Sequence, residues 1–223
     1  MTEELKIITL RESVFEDNNA DAQRLRQELT DKGIYLINLM ASPGSGKTTT
    51  LRALIPLLRE KLNLAVMEAD IDSSVDAEAI AQTGIQSIQL HTGGMCHLDA
   101  DMCRQGIRAL NCEGLDLVIL ENVGNLVCPA EFDTGAHLNM TILSVPEGHD
   151  KPLKYPLMYE SCSLLVVNKV DVLPWFDFDM EKLHQYATMR NPDIHILPIS
   201  AKTGEGVREL ADWILAQVKA NKK

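Results

Sequence analysis

Residues 41–48 have the composition and spacing of a phosphate-binding loop. The sequence there is Ala-Ser-Pro-Gly-Ser-Gly-Lys-Thr, and it lies between an apolar run at 34–40 and an amphipathic run at 49–61. A glycine-rich turn between a strand and a helix directs backbone N–H groups inward, where the helix N-terminus adds partial positive charge. We expect Lys47 to reach the β- and γ-phosphates of a nucleoside triphosphate and Thr48 to bind Mg²⁺. The residues expected to contact the triphosphate are Gly44, Ser45, Gly46, Lys47, Thr48 and Thr49.

Two later segments identify the base. Asn-Lys-Val-Asp at 168–171 directly follows an apolar run, and Ser-Ala-Lys stands at 200–202. The Asp171 carboxylate can accept hydrogen bonds from guanine N1–H and the exocyclic amine, whereas adenine would leave this charge unpaired. The Asn is expected to hold the surrounding loops, the Lys stem to lie along the base and the Ala201 N–H to meet guanine O6. Alone, the four-residue pattern also fits an ordinary turn, but behind a phosphate loop it predicts GTP. The expected base-binding residues are Asn168, Lys169, Asp171, Ser200, Ala201 and Lys202.

Carboxylates at the ends of two apolar runs are the candidate ligands for Mg²⁺. Asp70 and Glu121 each end such a run, and Mg²⁺ prefers oxygen ligands, so both are expected beside Thr48. Gly124 follows in Glu-Asn-Val-Gly and is expected to offer its N–H to the γ-phosphate, so that hydrolysis releases the segment behind it.

The expected hydrolytic machinery is incomplete. Asp72 and Asp76 lie in an acidic stretch and could orient the attacking water, although a helix cap on a solvated face is an equal alternative. No glutamine occupies an obvious water-orienting position and no arginine is an obvious finger, so we expect slow intrinsic hydrolysis. The expected catalytic residues are Lys47, Asp70, Asp72 and Glu121.

Softer metal ligands occur in two segments. Cys96 and His97 are adjacent, and Cys128 stands seven residues beyond Glu121. Thiolates and imidazoles favour Ni²⁺, Zn²⁺ or Cu over Mg²⁺, and both segments leave the nucleotide side of the predicted sheet. Three ligands do not close a tetrahedral shell, but a twofold dimer could share thiolates across its axis. Structural cysteines are the alternative, and we favour that role for the remaining thiols, Cys103, Cys112 and Cys162.

Composition narrows the function classes. The chain has 223 residues with 45% hydrophobic and 24% charged residues, which suits one globular domain. Its net charge of −11 argues against non-specific binding to nucleic acid or anionic membranes. It shows neither an apolar run of about 18 residues nor a signal-peptide pattern, so we expect a cytoplasmic protein. Five cysteines, an odd number, are then expected to be thiols or metal ligands.

The elements that position these motifs alternate along the chain. Helical patterns at 18–32, 49–61, 97–110 and 206–219 are interleaved with apolar runs, which predict strands at 34–40, 64–70, 85–92, 115–121, 139–145, 163–167 and 194–199. This order predicts an α/β fold with a mostly parallel, doubly wound sheet, the P-loop NTPase or G-domain fold. We expect an N-terminal arm at 1–17 and a GTPase domain with a leading helix at 18–223.

Taken together, the motifs at 41–48, 93–98, 121–129, 168–171 and 200–204 resemble the HypB family of hydrogenase maturation GTPases, over about residues 18–219. The resemblance implies a GTP-regulated factor that helps deliver nickel to the large subunit of nickel–iron hydrogenase, acting with a small HypA-type nickel chaperone. It implies a GTP-favoured homodimer that holds nickel or zinc through residues matching Cys96, His97 and Cys128. Many bacterial relatives carry an N-terminal Cys-x-x-Cys-Gly-Cys motif. This sequence begins Met-Thr-Glu-Glu, so we expect no nickel site of that kind.

Three alternatives remain open from the sequence. A urease nickel GTPase has similar chemistry but a Cys-Pro-His metal motif, whereas here Cys96 directly precedes His97. A nucleotide-driven chaperone of a cofactor enzyme would need no transition metal. A metabolic kinase would have to turn over ATP, which the base-recognition pattern disfavours.

Overall fold

In a computed structural model of the chain, residues 6–9, 18–70 and 80–221 are described. The strands in these residues are β1 (Lys6–Thr9), β2 (Tyr35–Ala41), β3 (Leu64–Asp70), β4 (Gln86–His91), β5 (Leu117–Glu121), β6 (Leu138–Ser144), β7 (Leu164–Asn168) and β8 (His195–Pro198). The α-helices are α1 (Asn18–Asp31), α2 (Lys47–Leu58), α3 (Ala100–Ala109), α4 (Cys128–Glu131), α5 (Lys151–Lys154), α6 (Pro156–Ser161), α7 (Met180–Arg190) and α8 (Val207–Asn221). Two 3₁₀ helices span Val145–Glu147 and Val170–Trp175.

The eight strands form one sheet in the order β1-β4-β3-β5-β2-β6-β7-β8, and every ladder is parallel. β2 lies between β5 and β6, so the loop that follows it leaves the middle of the sheet. Chain segments that follow parallel strands gather at one edge of the sheet, where ligands of doubly wound folds bind. This arrangement confirms the predicted α/β fold with a parallel, doubly wound sheet.

Both faces of the sheet are covered because its central strands are apolar throughout. All residues of β2, β5 and β7 are buried. Ile37 and Leu39 of β2 pack with α2 and α8, whereas Leu36 packs with α1 and α3 on the opposite face. Two-sided burial explains why these strands read as continuous apolar runs rather than as alternating patterns.

Two local expectations differ from the structure. Lys6–Thr9, within the expected N-terminal arm, pairs with β4 as an edge strand. Four residues carry too little periodicity to predict a strand, and the partner lies about eighty residues away in sequence. The helix expected from His97 begins at Ala100, because extended Asp99 caps it and accepts from the Met102 N–H at 2.8 Å. The division of the chain into an arm and a GTPase domain stays a prediction.

Candidate functional site

The phosphate-binding motif forms the turn between β2 and α2. Gly44 and Gly46 adopt φ values of 76° and 98°, in the left-handed region that only glycine enters without strain. α2 begins at Lys47 immediately after this turn, so its first N–H groups face the same space. The Ser45 hydroxyl is fully buried and has no hydrogen-bond partner among the described residues. The turn therefore offers a compact set of donors of the kind that surrounds a phosphate.

Position 46 requires glycine for a second reason besides its backbone angles, which is the close approach of the Asn168 side chain. A Cβ at Gly46 would lie 2.5 Å from Asn168 Nδ2. That amide donates to the Ser45 carbonyl at 3.0 Å, which joins the end of β7 to the phosphate loop. The segment expected to recognise guanine is thus joined directly to the phosphate loop.

The expected base-binding residues meet at the carboxyl end of β7. Lys169 has a φ of 64°, the one positive value at a non-glycine position among the described residues, and its Nζ donates to the Gly44 carbonyl at 2.7 Å. The Ser200 hydroxyl donates to Asp171 Oδ1 at 2.7 Å, which orients that carboxylate. The Ala201 N–H donates to Asn168 Oδ1 at 3.1 Å. Its expected role, donation to guanine O6, therefore requires that this hydrogen be shared or released.

Two of the expected Mg²⁺ ligands, Asp70 and Glu121, end neighbouring strands, and the third, Thr48, lies in the first turn of α2. The Thr48 hydroxyl donates to Glu121 Oε1 at 3.0 Å, and the Glu121 side chain is buried. A hydroxyl and a carboxylate at this separation form an oxygen-only donor pair of the kind that Mg²⁺ accepts. Asp70 ends β3, one strand beyond β5, and its register partner is His91. Asp72 and Asp76 lie outside the described residues.

Gly124 lies directly against the phosphate loop. A Cβ at this position would stand 3.3 Å from the Pro43 backbone nitrogen and 3.4 Å from Lys47 Nζ. The segment that begins at Glu121 therefore passes the lysine expected to hold the γ-phosphate.

Three asparagines form a hydrogen-bonded row across the sheet. Asn122 Nδ2 donates to Asn38 Oδ1 at 2.9 Å, and Asn38 Nδ2 donates to Asn139 Oδ1 at 3.1 Å. Asn122 Oδ1 accepts from the Val123 N–H at 2.9 Å. Asn38 and Asn122 are buried, so their amides satisfy one another and fix the start of the segment that contains Gly124.

Glu147 links the phosphate loop to the end of β6. Its carboxylate accepts a hydrogen bond from the Ser42 hydroxyl and, at 2.8 Å each, from the N–H and hydroxyl of Ser144. The first turn of the phosphate loop is thereby attached to the neighbouring strand.

The two cysteines expected to bind metal lie near enough for their thiols to influence each other. A hydrogen bond with Cys128, together with burial and the charge of that second thiol, raises the pKa of the Cys96 thiol. Asn125 Nδ2 donates to Cys128 Sγ at 3.3 Å. His97 Nδ1 is 3.9 Å from Cys96 Sγ, and the imidazole stacks on Phe132 with ring centroids 3.7 Å apart. Across the described part of the chain, no three His, Cys, Asp or Glu side chains converge as a metal-binding group.

The other three cysteines have structural surroundings. Cys103 and Cys162 are fully buried, and burial raises the pKa of each thiol to about 12. Cys112 is partly exposed and its thiol donates to the Ile107 carbonyl at 3.4 Å. These contacts agree with the expectation that the three thiols contribute to packing.

Comparison with known proteins identifies the family. Residues 35–198 match the family described as CobW/HypB/UreG, nucleotide-binding domain. The hydrogenase maturation factor HypB of Azotobacter chroococcum mcd 1 is 44% identical over 214 residues, which cover 95% of this chain and 70% of that protein. The chain belongs to the HypB family. A HypB-family protein of Helicobacter hepaticus, named hydrogenase/urease maturation factor HypB, is 36% identical over 94% of this chain and 87% of its own length.

Solved HypB structures have the same fold as this family member. The nickel complex of HypB from Helicobacter pylori matches with a TM-score of 0.87 and 33% identity, over 93% of this chain and 98% of that one. HypB from Archaeoglobus fulgidus matches with a TM-score of 0.83 and 33% identity, over 91% and 98%. The signal recognition particle receptor FtsY of Elizabethkingia anophelis, at 14% identity and a TM-score of 0.52, shares the fold alone.

Sequence reasoning missed two groups that shape this HypB-family site. Asn38 is a single polar residue inside an apolar strand, and that interruption was the available signal for the asparagine row. Glu147 had no comparable signal, because its contact with Ser42 joins residues 105 positions apart.

Within the described residues, no helix is long and apolar enough to span a bilayer.

Proposed function

We propose that this member of the HypB family binds and hydrolyses GTP and uses the nucleotide state to control a thiolate site for nickel. Nickel is the cargo, destined for the large subunit of nickel–iron hydrogenase. The names of its relatives, and the nickel bound to HypB of Helicobacter pylori, support this assignment. The matched guanine-recognition and phosphate segments support GTP as the nucleotide.

The observation that carries the proposal is that Cys96 and Cys128 lie near enough to influence each other, with Cys128 at the end of a segment that touches the phosphate loop. Gly124 lies beside Lys47 and is only four residues from Cys128. A change at the γ-phosphate is thereby transmitted over a short stretch of backbone to one of the two thiols. Only a difference in nickel affinity between nucleotide states can drive transfer of the metal.

The metal site needs more than the two adjacent thiols. His97 stacks on Phe132 through its ring face, and its Nδ1 lies 3.9 Å from Cys96 Sγ, so it is a candidate third ligand. A second copy related by a twofold axis would add its own pair of thiolates and complete a four-sulfur or mixed site for Ni²⁺ or Zn²⁺. This requirement supports a GTP-favoured homodimer, from which a HypA-type chaperone collects or supplies nickel.

Mg²⁺ fits the oxygen donors beside the phosphate loop. Thr48 and Glu121 would hold it, with Asp70 on the next strand, and the ion would supply positive charge at the β- and γ-phosphates. Lys47, at the start of α2, would also offset the negative charge of these phosphates. Asp72 is our candidate for orienting the attacking water. We expect slow hydrolysis, since the sequence offers no evident water-orienting glutamine.

The test is a nickel titration of the GDP form and of the GTP-analogue form. We expect tight binding to the wild-type protein, with an affinity or stoichiometry that differs between nucleotide states. Cys96→Ala and Cys128→Ala should abolish tight nickel binding and leave GTP hydrolysis within about twofold of the wild type, because neither thiol belongs to the phosphate or base contacts.

Cys112→Ala is the matched control, since it removes another partly exposed thiol outside the candidate site. Identical nickel binding in both nucleotide states would contradict the proposed coupling between nucleotide state and nickel affinity. Unchanged nickel binding in both cysteine variants would show that Cys96 and Cys128 do not form the metal site. The remaining interpretation would be a GTPase chaperone that uses no transition metal. Preferential turnover of ATP would instead favour a metabolic kinase.

Delivery to urease is the second candidate function. Two Helicobacter relatives, 36% and 33% identical to this chain, are named hydrogenase/urease maturation factors. Hydrogenase and urease apoproteins can be compared directly as acceptors of nickel from the loaded protein. Transfer to urease alone would favour this second function.

A further inference from the structure

The two thiol-bearing segments follow different strands, so the sheet alone does not fix their separation. Cys96 and His97 lie between β4 and α3, whereas Cys128 opens the short helix α4 after β5. β3 separates β4 from β5 in the sheet. Backbone pairing within the sheet therefore does not join the two segments directly.

Asn18, the first residue of α1, joins them through its side chain. Its Oδ1 accepts from the Ala100 N–H at 2.9 Å, and its Nδ2 donates to the Asp133 carbonyl at 3.0 Å. Ala100 begins α3, four residues after Cys96, and Asp133 lies five residues after Cys128. One amide group thus connects the distal ends of both thiol-bearing segments.

The chain between each thiol and this connection is well supported. Asp99, next to Ala100, caps α3, and just before Cys96 the Thr92 hydroxyl donates to the Met95 carbonyl at 2.7 Å. On the other side, Phe132 follows α4 directly and its ring stacks on His97. A shift at Asn18 would therefore be transmitted to the thiols rather than absorbed by a loose loop.

Helix α1 itself is held firmly against both segments. Arg26 forms a two-pronged ion pair with Asp133 at 2.8 and 2.9 Å and donates to the Ala136 carbonyl at 2.8 Å. A Cβ at Gly135 would lie 3.0 Å from Leu25, so the loop that leads into β6 packs directly on α1.

A buried ion-pair group ties α1 to α3 as well. Arg104 of α3 is 8% exposed and pairs with Glu28 at 2.6 Å and with Asp21 at 2.8 Å. α1 is therefore a rigid support from which Asn18 reaches both segments.

We propose that Asn18 is a positioning residue that sets the distance between the Cys96 and Cys128 thiols, and thereby the nickel affinity of the site. The inference rests on the nickel-binding function proposed above. Partners that orient metal ligands typically contribute 10- to 100-fold to metal affinity. Asn18 acts through two backbone groups and touches neither nickel nor nucleotide.

The test compares the full-length wild type with Asn18→Ala by two readouts. The first is retention of phenylarsine oxide, whose arsenic forms bonds to two neighbouring thiols and releases water, so it reports thiol spacing without nickel. The second is Ni²⁺ affinity, followed by the sulfur-to-nickel charge-transfer absorbance. For Asn18→Ala we expect weaker arsenical retention and about 10- to 100-fold weaker nickel binding. GTP hydrolysis should stay within about twofold of the wild type, because no phosphate or base contact is removed.

Asn191→Ala is the matched control. Asn191 also bridges two backbone groups, the Cys162 carbonyl at 2.8 Å and the Asp193 N–H at 3.0 Å, but beside the amino ends of β7 and β8. It should lose comparable stability while keeping both thiol readouts. Wild-type values for Asn18→Ala in both readouts, or equal losses in the control, would overturn the inference. A wild type that retains the arsenical but binds no nickel would overturn the proposed function, and the arsenical readout would still decide the role of Asn18.

Discussion

Gly124 and Lys47 stand so close that one added methyl group on the glycine would lie 3.4 Å from the lysine Nζ. The same methyl would approach the Pro43 backbone nitrogen to 3.3 Å and Pro43 Cγ to 3.2 Å. The two Pro43 contacts are tighter than ordinary van der Waals contact, so the phosphate loop or the segment after β5 would have to shift by a few tenths of an ångström. The nucleotide-binding and thiol-bearing parts of the molecule therefore meet at a glycine.

Replacement of this glycine tests whether the segment senses the γ-phosphate. In Gly124→Ala, the methyl group presses on Pro43 of the phosphate loop and shifts that loop or the segment itself, so we expect hydrolysis to fall roughly tenfold or more. Affinity for a GTP analogue should fall, whereas GDP affinity should change little, because the displaced groups face the terminal phosphate. Single-turnover hydrolysis and nucleotide titrations measure these quantities. Equal losses for GDP and the GTP analogue would instead indicate general damage to the phosphate loop.

The base preference should follow the chemistry of Asp171. In Asp171→Asn, the side chain can no longer accept from both guanine donors, so GTP affinity should fall roughly 100-fold. Xanthosine triphosphate carries an oxygen in place of the guanine amine, to which the new amide can donate, and it should bind better to the variant than to the wild type. Competition between the two nucleotides measures the change. Asp177→Asn, which neutralises an exposed carboxylate six residues away, serves as control and should keep the preference for GTP.

Stability should depend on pH through His137. Burial, together with the nearby Arg26 charge, lowers the pKa of this imidazole to about 4. The Leu36 N–H donates to His137 Nδ1 at 3.0 Å, and the Thr30 hydroxyl lies 2.9 Å from Nε2, so the neutral ring is the form that fits. An unfolded chain, with a histidine pKa near 6.5, binds more protons between about pH 6.5 and 4. The stabilisation is therefore complete above pH 6.5 and is lost as the pH falls through this window.

Denaturation midpoints between pH 7.5 and 4.5 measure the effect. Relative to His137→Gln, the wild type should lose up to about 1.4 kcal/mol of unfolding free energy per pH unit below 6.5. His184→Gln removes an exposed histidine on α7 and should leave the wild-type pH dependence in place. A constant difference between wild type and His137→Gln across this range would contradict the assigned cause.

Local motifs made much of the fold predictable. The strand–loop–helix order around residues 41–48 follows from an apolar run, two glycines and an amphipathic run, all within one stretch of chain. The parallel sheet followed from several β-branched runs separated by helical patterns. β1 escaped prediction because its four residues become a strand only by pairing with β4.

The sequence by itself determined which atoms are available: a phosphate loop, a carboxylate suited to guanine, and soft ligands at positions 96, 97 and 128. These assignments depend on residue type and short spacing, which are local properties of the sequence. Tertiary structure alone decided that Cys96 lies near Cys128, that His97 stacks on Phe132, and that Asn18 spans the two segments. The reason is physical: these contacts join residues from about thirty to more than a hundred positions apart, and only the order of strands and the packing of α1 bring them together.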